Sequence, residues 1–137
     1  MKPVFVDTAG WAALANQREQ HHQQATQLFE QYWKSKTTLI TTSAVLSELT
    51  ALLTSRRVSK PEQVQFIEDI NNDTAIQVIF VDIDLDASAW QLWRSRLDKS
   101  WTFVDCTSFV IMQKMNITDA ITSDQHFEQA GFVRLLK

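Results

Sequence analysis

Hydrophobic residues occur along the chain as short runs that alternate with longer stretches of helical periodicity. The short runs are rich in β-branched and aromatic residues and predict β-strands. They lie at residues 3–6, 38–41, 76–81, 117–121 and 132–136. Because helical patterns separate most of these runs, we expect an α/β fold. It should be a three-layer α/β/α sandwich with a central, mostly parallel five-stranded sheet.

The helices are predicted from the spacing of apolar residues and from their capping residues. A helix over 19–33 is indicated by an apolar stripe formed by Ala25, Leu28, Phe29, Tyr32 and Trp33. Ser59, with Glu62 three positions later, is typical of a helix N-terminus. Asp84 is expected to cap the next helix, whose apolar face would comprise Leu85, Ala89, Trp93 and Leu97. The mostly apolar stretch 103–115 predicts a helix that lies deep against the sheet.

Composition favours one compact domain over residues 1–137. The chain is 45% hydrophobic, and its two glycines and two prolines leave no linker-like segment. The net charge of −3 excludes a generally basic surface of the kind that binds nucleic acid through counterion release.

Cysteine content and hydropathy indicate the cellular compartment of the protein. Cys106 is the only cysteine, which excludes a disulfide framework and a zinc site built from thiolates. The N-terminal residues lack the apolar core of a signal peptide, and no apolar stretch approaches the roughly 18 residues that a membrane helix needs. We therefore expect a cytoplasmic protein with no membrane association.

Four acidic residues are predicted to lie outside the carboxyl ends of the strands, where α/β proteins with a parallel sheet bind their ligands. Asp7 follows the first predicted strand and Asp124 follows the fourth. Glu48 lies at the margin of the apolar stripe of the helix after the second strand, and Asp105 opens the helix 103–115. Carboxylates that meet in one crevice need raised pKa values or a cation between them, and oxygen ligands suit Mg²⁺ or Mn²⁺.

Each acid also has an ordinary structural interpretation. Asp7 and Asp124 are acceptable helix N-caps, and Thr102 with Asp105 forms a capping-box variant. For Glu48 the structural interpretation is a residue at the rim of the apolar stripe or a member of a salt bridge. The combination of all four, rather than any one of them, therefore indicates a metal site.

Other polar and aromatic residues are less informative. Arg56, Arg57 and Lys60 form the densest basic group, which suits RNA phosphates but also the end of a helix. His21 and His22 are expected on a solvated helix face, and His126 as an exposed residue at a helix start. Trp90 and Trp93 are expected to belong to the core.

The ordered set of short motifs resembles the PIN domain nucleases, and in particular the VapC toxins of bacterial toxin–antitoxin pairs. The motifs span nearly the whole chain and are Val4-Phe5-Val6-Asp7-Thr8, Ser43-x-x-x-Ser47-Glu48-Leu49, Val104-Asp105-Cys106-Thr107-Ser108-Phe109, and Thr122-Ser123-Asp124-x-x-Phe127 followed by Gly131-Phe132.

The resemblance implies an endoribonuclease that uses Mg²⁺ or Mn²⁺ to activate water. It further implies that Asp7, Glu48, Asp105 and Asp124 are the metal ligands and catalytic residues, supported by the hydroxyls of Thr8 and Thr122. It implies an RNA substrate, a small antitoxin protein as partner, and a homodimer. In VapC-like proteins the helices that correspond to 19–33 and 62–71 form the groove for the antitoxin.

Two alternatives belong to other functional classes. One is a catalytically silent PIN-like module that binds RNA or a protein partner, which metal-independent RNA binding without cleavage would favour. The other is a phospho-accepting receiver domain, which also carries acids at strand ends. That design needs paired acids after the first strand and a lysine after the fifth. Here Asp7 alone follows the first strand, Lys2 precedes it, and Lys137 is the terminal residue, so this alternative is disfavoured.

Overall fold

The sheet at the centre of the molecule is parallel throughout. The computed structural model describes residues 2–137, and its strands are β1 (Val4–Val6), β2 (Leu39–Thr42), β3 (Ile76–Ile79), β4 (Asp119–Ile121) and β5 (Val133–Arg134). Their order is β3-β2-β1-β4-β5. Phe5 lies opposite Ile40 on one side and Ala120 on the other. The central strand is buried at all three positions, as expected where helices cover both faces of a parallel sheet.

Every predicted strand is present, although most are shorter than the apolar runs that predicted them. The helices are α1 (Thr8–Ala15), α2 (His22–Lys34), α3 (Ser43–Ser55), α4 (Lys60–Asn72), α5 (Ile83–Ser95), α6 (Phe103–Lys114) and α7 (Gln125–Gln129). No helix within residues 2–137 has the length and apolar character needed to cross a membrane.

The strand order explains the three layers. Crossovers from β1 to β2 and from β2 to β3 run in one direction along the sheet, whereas those from β3 to β4 and from β4 to β5 run in the other. Because such crossovers are right-handed, α1–α4 cover one face and α5–α7 cover the opposite face. The direction reverses between β1 and β4, and the crevice at their carboxyl ends is the usual ligand site of such a sheet.

Aromatic clusters fill the two interfaces between sheet and helices. Trp11 of α1 stacks on Phe29 of α2 with ring centroids 5.3 Å apart. Phe109 of α6 contacts Phe127 of α7 edge to face at 4.9 Å, and Trp101 packs against Phe109. Trp11, Phe29, Phe109 and Phe127 are almost fully buried, so these clusters hold the helices that surround the crevice.

Gly10 lets α1 approach the sheet closely. A Cβ atom at this position would lie 2.1 Å from the backbone oxygen of Ile121 at the end of β4. No side chain fits that space, so glycine is needed for the helix after β1 to pack against β4. This contact brings the residues after the two strands together.

Three details of the helices differ from the sequence expectation. The helix predicted over 19–33 begins at His22. Glu19 lies in the preceding turn, where its N–H donates to the carbonyl of Asn16. Asp82, not Asp84, caps α5 and accepts a hydrogen bond from the Leu85 N–H. Leu97 lies beyond the end of α5 and is 92% exposed, so the apolar face predicted there is shorter.

Candidate metal centre

The structure places the predicted acids around the crevice between β1 and β4. Asp7 follows β1, Glu48 lies in the second turn of α3, Asp105 in the first turn of α6, and Asp124 in the turn between β4 and α7. Repulsion from Asp105 and Glu48 raises the pKa of Asp7, and Asp124 raises the pKa values of Glu48 and Asp105, so the four acids are linked electrostatically.

Asp7 is buried and only partly hydrogen-bonded. It occupies the N-cap position of α1, but its side chain makes no capping hydrogen bond. Oδ2 accepts a 2.9 Å hydrogen bond from the Thr122 hydroxyl, while Oδ1 is buried with no partner among the described residues. Burial, reinforced by repulsion from Asp105 and Glu48, raises the pKa of Asp7 from 3.8 to about 7. Capping therefore does not explain this residue.

Glu48 faces the same crevice and is half-buried. The Thr8 hydroxyl donates a hydrogen bond of 2.6 Å to Glu48 Oε1. Burial raises the pKa of Glu48, and repulsion from Asp105 and Asp124 adds to the increase. Within residues 2–137 no lysine, arginine or histidine forms a salt bridge with this carboxylate. The salt-bridge interpretation of Glu48 is therefore wrong.

Asp105 combines a capping role with a place in the crevice. Its Oδ2 accepts the Thr102 N–H at 3.1 Å, while the Thr102 hydroxyl accepts the Asp105 N–H, which completes a capping box. The same oxygen lies 2.9 Å from Nδ1 of His126. Burial raises the pKa of Asp105, and the hydrogen bonds oppose this effect. Asp105 therefore helps to cap α6 and also lies in the crevice.

Thr122 connects two of the acids. Its hydroxyl donates to Asp7 and accepts the Asp124 N–H at 3.0 Å. Asp124 is more exposed and caps α7 through a 2.9 Å hydrogen bond from the His126 N–H to Oδ1. The two threonines predicted to support the carboxylates, Thr8 and Thr122, therefore both contact one.

His126 is the residue that sequence reasoning missed. Its side chain is 21% exposed, not the free surface group expected, and its ring contacts Asp105. The nearest ligand atoms of Asp105, Asp124 and His126 all lie within 4.8 Å of one another. The position of His126 two residues after Asp124, at the first turn of a predicted helix, was the available signal.

The donors of this crevice fit a divalent cation. They include several carboxylates, a buried Asp7 oxygen that lacks a donor, and one imidazole. Hard oxygen donors of this kind suit Mg²⁺ and Mn²⁺, and imidazole is also acceptable to Mn²⁺ and other transition metals. Burial raises the pKa of Cys106 to about 11, so the neighbouring thiol stays protonated and adds no thiolate ligand.

The basic residues lie outside this cluster. Arg56 forms a 3.0 Å ion pair with Glu19 and lines a cavity of about 400 Å³ that also includes Ala9 and Ser123, neighbours of Thr8 and Asp124. Arg57 follows α3 and lines a separate polar cavity, and Lys60 begins α4 beside the groove between α3 and α4. Of the three basic residues predicted to contact RNA, Arg56 alone shares a cavity with Ser123, the neighbour of Asp124.

The chain matches one protein family and resembles characterised proteins over nearly its whole length. Residues 4–133 match the PIN domain family. The chain is 39% identical over 134 residues to the 23S rRNA-specific endonuclease VapC20 of Mycobacterium tuberculosis strains CDC 1551 and H37Rv, covering 96% of this chain and 97% of the relative.

Two solved structures share the fold. The crystal structure of Mycobacterium tuberculosis VapC20, described as a Sarcin-Ricin loop cleaving toxin, superposes with a TM-score of 0.84 at 34% identity, covering 98% of this chain and 99% of that one. PAE2754 from Pyrobaculum aerophilum superposes with a TM-score of 0.65 at 14% identity, covering 98% and 84% of the two chains, which supports the fold alone.

Proposed function

This chain belongs to the PIN domain family, and we propose that it is a metal-dependent endoribonuclease in which Asp7, Glu48, Asp105 and Asp124 hold Mg²⁺ or Mn²⁺. The 39% identity to an endonuclease over nearly the whole of both chains supports the nuclease activity. The observation that carries the metal assignment is the buried Asp7 Oδ1, an acceptor without a donor beside other carboxylates. A cation would supply the missing partner and offset the repulsion.

The protein's own residues position the reacting groups. When bound, a divalent cation supplies Lewis-acid activation of water and stabilises charge that develops on the phosphate. Asp7 and Asp105 come from the walls of the crevice and would hold the cation most directly. Thr8 orients Glu48 and Thr122 orients Asp7 through their hydroxyl hydrogen bonds. These hydrogen bonds preorganise the carboxylates before the substrate arrives.

The substrate proposed here is ribosomal RNA, the class that the name of the 39% identical relative specifies. Because the chain carries a net charge of −3, the cation and a local basic surface must attract the phosphates. Arg56, Arg57 and Lys60 are the proposed basic contacts. Arg56 is the best placed, since its cavity extends to Ser123 next to Asp124.

A small antitoxin is the proposed protein partner, which would make this chain the toxin of a type II toxin–antitoxin pair. The groove between α3 and α4 has a volume of about 820 Å³ and is lined by both apolar and charged side chains, among them Ala51, Val64, Ile67, Lys60 and Glu68. Val64 is 44% exposed in it. Such a groove suits an amphipathic peptide segment. The RNA substrate and this partner are both expected in the cytoplasm.

A homodimer is proposed from the exposed apolar residues around α5. Phe80 and Ile83 at its start are 75% and 87% exposed, and Trp93 near its end is 46% exposed. An apolar patch on this helix, if these side chains form one, would be typical of a subunit interface.

The nuclease proposal is tested with purified protein and ribosomal RNA. We expect discrete cleavage products with Mn²⁺ or Mg²⁺ and none with EDTA, and a loss of at least about 100-fold in rate for Asp7→Asn and Asp105→Asn. Asp84→Asn, an exposed acid on α5, is the matched control and should cleave at the wild-type rate. Expression of the wild type should arrest bacterial growth, and Asp105→Asn should relieve the arrest.

Two results would contradict the proposal. Cleavage that survives both crevice substitutions would remove the acids from catalysis. RNA binding without cleavage under any metal condition would favour the silent binding module instead.

A further inference from the structure

His126 contacts two acids that come from different elements. Its ring Nδ1 lies 2.9 Å from Asp105 Oδ2 of α6 and 3.5 Å from Asp124 Oδ1. Its backbone N–H donates to the same Asp124 oxygen at 2.9 Å. Ring Nε2 lies 3.4 Å from the Ser100 hydroxyl. One residue thus joins the N-terminus of α6 to the N-terminus of α7.

The chemistry of these partners assigns the tautomer of His126. The Asp105 carboxylate already accepts the Thr102 N–H on Oδ2 and has no proton to donate when it is ionised. Nδ1 must therefore carry a proton and donate it, and in the neutral ring Nε2 is the acceptor that faces Ser100. Asp105 Oδ2 then accepts two N–H donors, which leaves Oδ1 as the oxygen available to a cation.

The packing of α7 holds the imidazole in this position. The next residue, Phe127, is fully buried and contacts Phe5 and Phe109. Because Phe127 anchors the middle of α7 in the core, the adjacent imidazole has little freedom to leave Asp105.

We infer that His126 is a positioning residue, which orients Asp105 through an Nδ1–H hydrogen bond so that the free carboxylate oxygen faces the cation. This inference rests on the proposed metal-dependent nuclease function. Ligating carboxylates are commonly oriented by such outer hydrogen bonds, and removal of an outer partner typically weakens metal affinity or activity about 10- to 100-fold.

Two amide substitutions separate the roles of the ring nitrogens. The amide nitrogen of asparagine takes nearly the place of Nδ1, whereas that of glutamine lies nearer to Nε2. The Kd of Mn²⁺ alone is measured by electron paramagnetic resonance, and the cleavage rate of ribosomal RNA is measured at saturating Mn²⁺. We expect His126→Ala and His126→Gln to raise the Mn²⁺ Kd about 10-fold or more, and His126→Asn to restore most of the affinity.

Gln129→Ala is the matched structural control. Gln129 lies on the same helix and accepts a 3.1 Å hydrogen bond from the indole of Trp101, but it contacts no acid. The Mn²⁺ Kd of this variant should therefore stay within about twofold of the wild type. Thermal unfolding checks that each variant folds. Because Asn and Gln are compared with each other, the test stands even if the alanine variant does not fold.

Several results would overturn the inference. One is an alanine variant with wild-type Mn²⁺ affinity, and another is equal affinity for the Asn and Gln variants. A third is a nitrogen coupling to Mn²⁺ in pulsed resonance spectra of the wild type that His126→Ala abolishes, since this would make His126 a direct ligand. If Asp7→Asn and Asp105→Asn also bind Mn²⁺ normally, the proposed function itself fails, and this outcome is distinct from a failure of His126 alone.

Discussion

Asp7 is the residue at which stability and the proposed function conflict. Its carboxylate is 3% exposed, one oxygen lacks a donor, and two other acids repel it. A buried carboxylate in this environment favours the protonated form, and each pKa unit corresponds to about 1.4 kcal/mol. Ionisation of Asp7 in the metal-free protein therefore destabilises the native state.

The stability of the metal-free protein is expected to decrease as pH rises, because Asp7 must ionise in the folded state. The folded pKa of Asp7 is about 7 and its ordinary value is 3.8. The stabilisation from its protonated form is complete below about pH 4 and is lost as pH rises through 7, up to about 4 kcal/mol for a difference of about three pKa units. Asp7→Asn should remove this pH dependence and stabilise the metal-free protein at pH 8.

Urea unfolding of both proteins in EDTA between pH 4 and 8 measures the effect. Glu48 and Asp105 change stability in the same direction, since their pKa values are also raised. The difference between the wild type and Asp7→Asn therefore reports the ionisation of Asp7 together with its repulsion of these two acids. A difference that does not change with pH would show that Asp7 titrates normally.

At the scale of elements, the approach of α1 to β4 builds the crevice. Gly10 permits this contact, which keeps Asp7 at the start of α1 beside Thr122 after β4. The hydrogen bond between these side chains spans 115 positions of sequence. Its geometry depends on the distance between the helix and the strand.

Gly10→Ala should therefore destabilise the protein. Helix propensity alone predicts the opposite, a gain of about 1 kcal/mol, because alanine is the better helix former. The new Cβ would meet the Ile121 carbonyl oxygen, and overpacking of this kind costs about 1–3 kcal/mol. Denaturant unfolding gives the sign, and a stabilised variant would contradict the packing described here.

At the scale of the whole molecule, the proposed cation connects separate parts of the chain. The acids lie on four elements or turns between residues 7 and 124, on both sides of the sheet. A ligand that binds only the assembled crevice stabilises the entire fold by mass action. Metal binding should thus be visible in global unfolding as well as in catalysis.

Mn²⁺ is expected to raise the melting temperature of the wild type. At about 100 times its Kd the stabilisation is about 2.7 kcal/mol, which corresponds to about 5–10 °C for a domain of this size. Asp105→Asn should lose most of this increase, and Asp84→Asn should retain it. Scanning calorimetry with and without EDTA makes the comparison, and an equal increase in all three proteins would indicate binding elsewhere.

The sequence by itself determined the layered α/β fold and the order of the acids along it. Apolar runs and helical spacing identify which residues are buried, and the parallel topology brings residues that follow different strands to one edge. The resemblance to PIN domain nucleases could be recognised from Asp7, Glu48, Asp105 and Asp124 for this reason. Local capping patterns also predicted the start of α4 at Ser59.

Only the tertiary structure decided which side-chain atoms meet. The unpartnered oxygen of Asp7, the contact of His126 with Asp105 and the exposure of Leu97 all depend on how distant elements pack. A local sequence pattern predicts which face of a helix or strand is buried, but it does not predict the distance or rotation between two such elements. Hydrogen bonds between those elements are sensitive to shifts of less than 1 Å, so they follow from the assembled core alone.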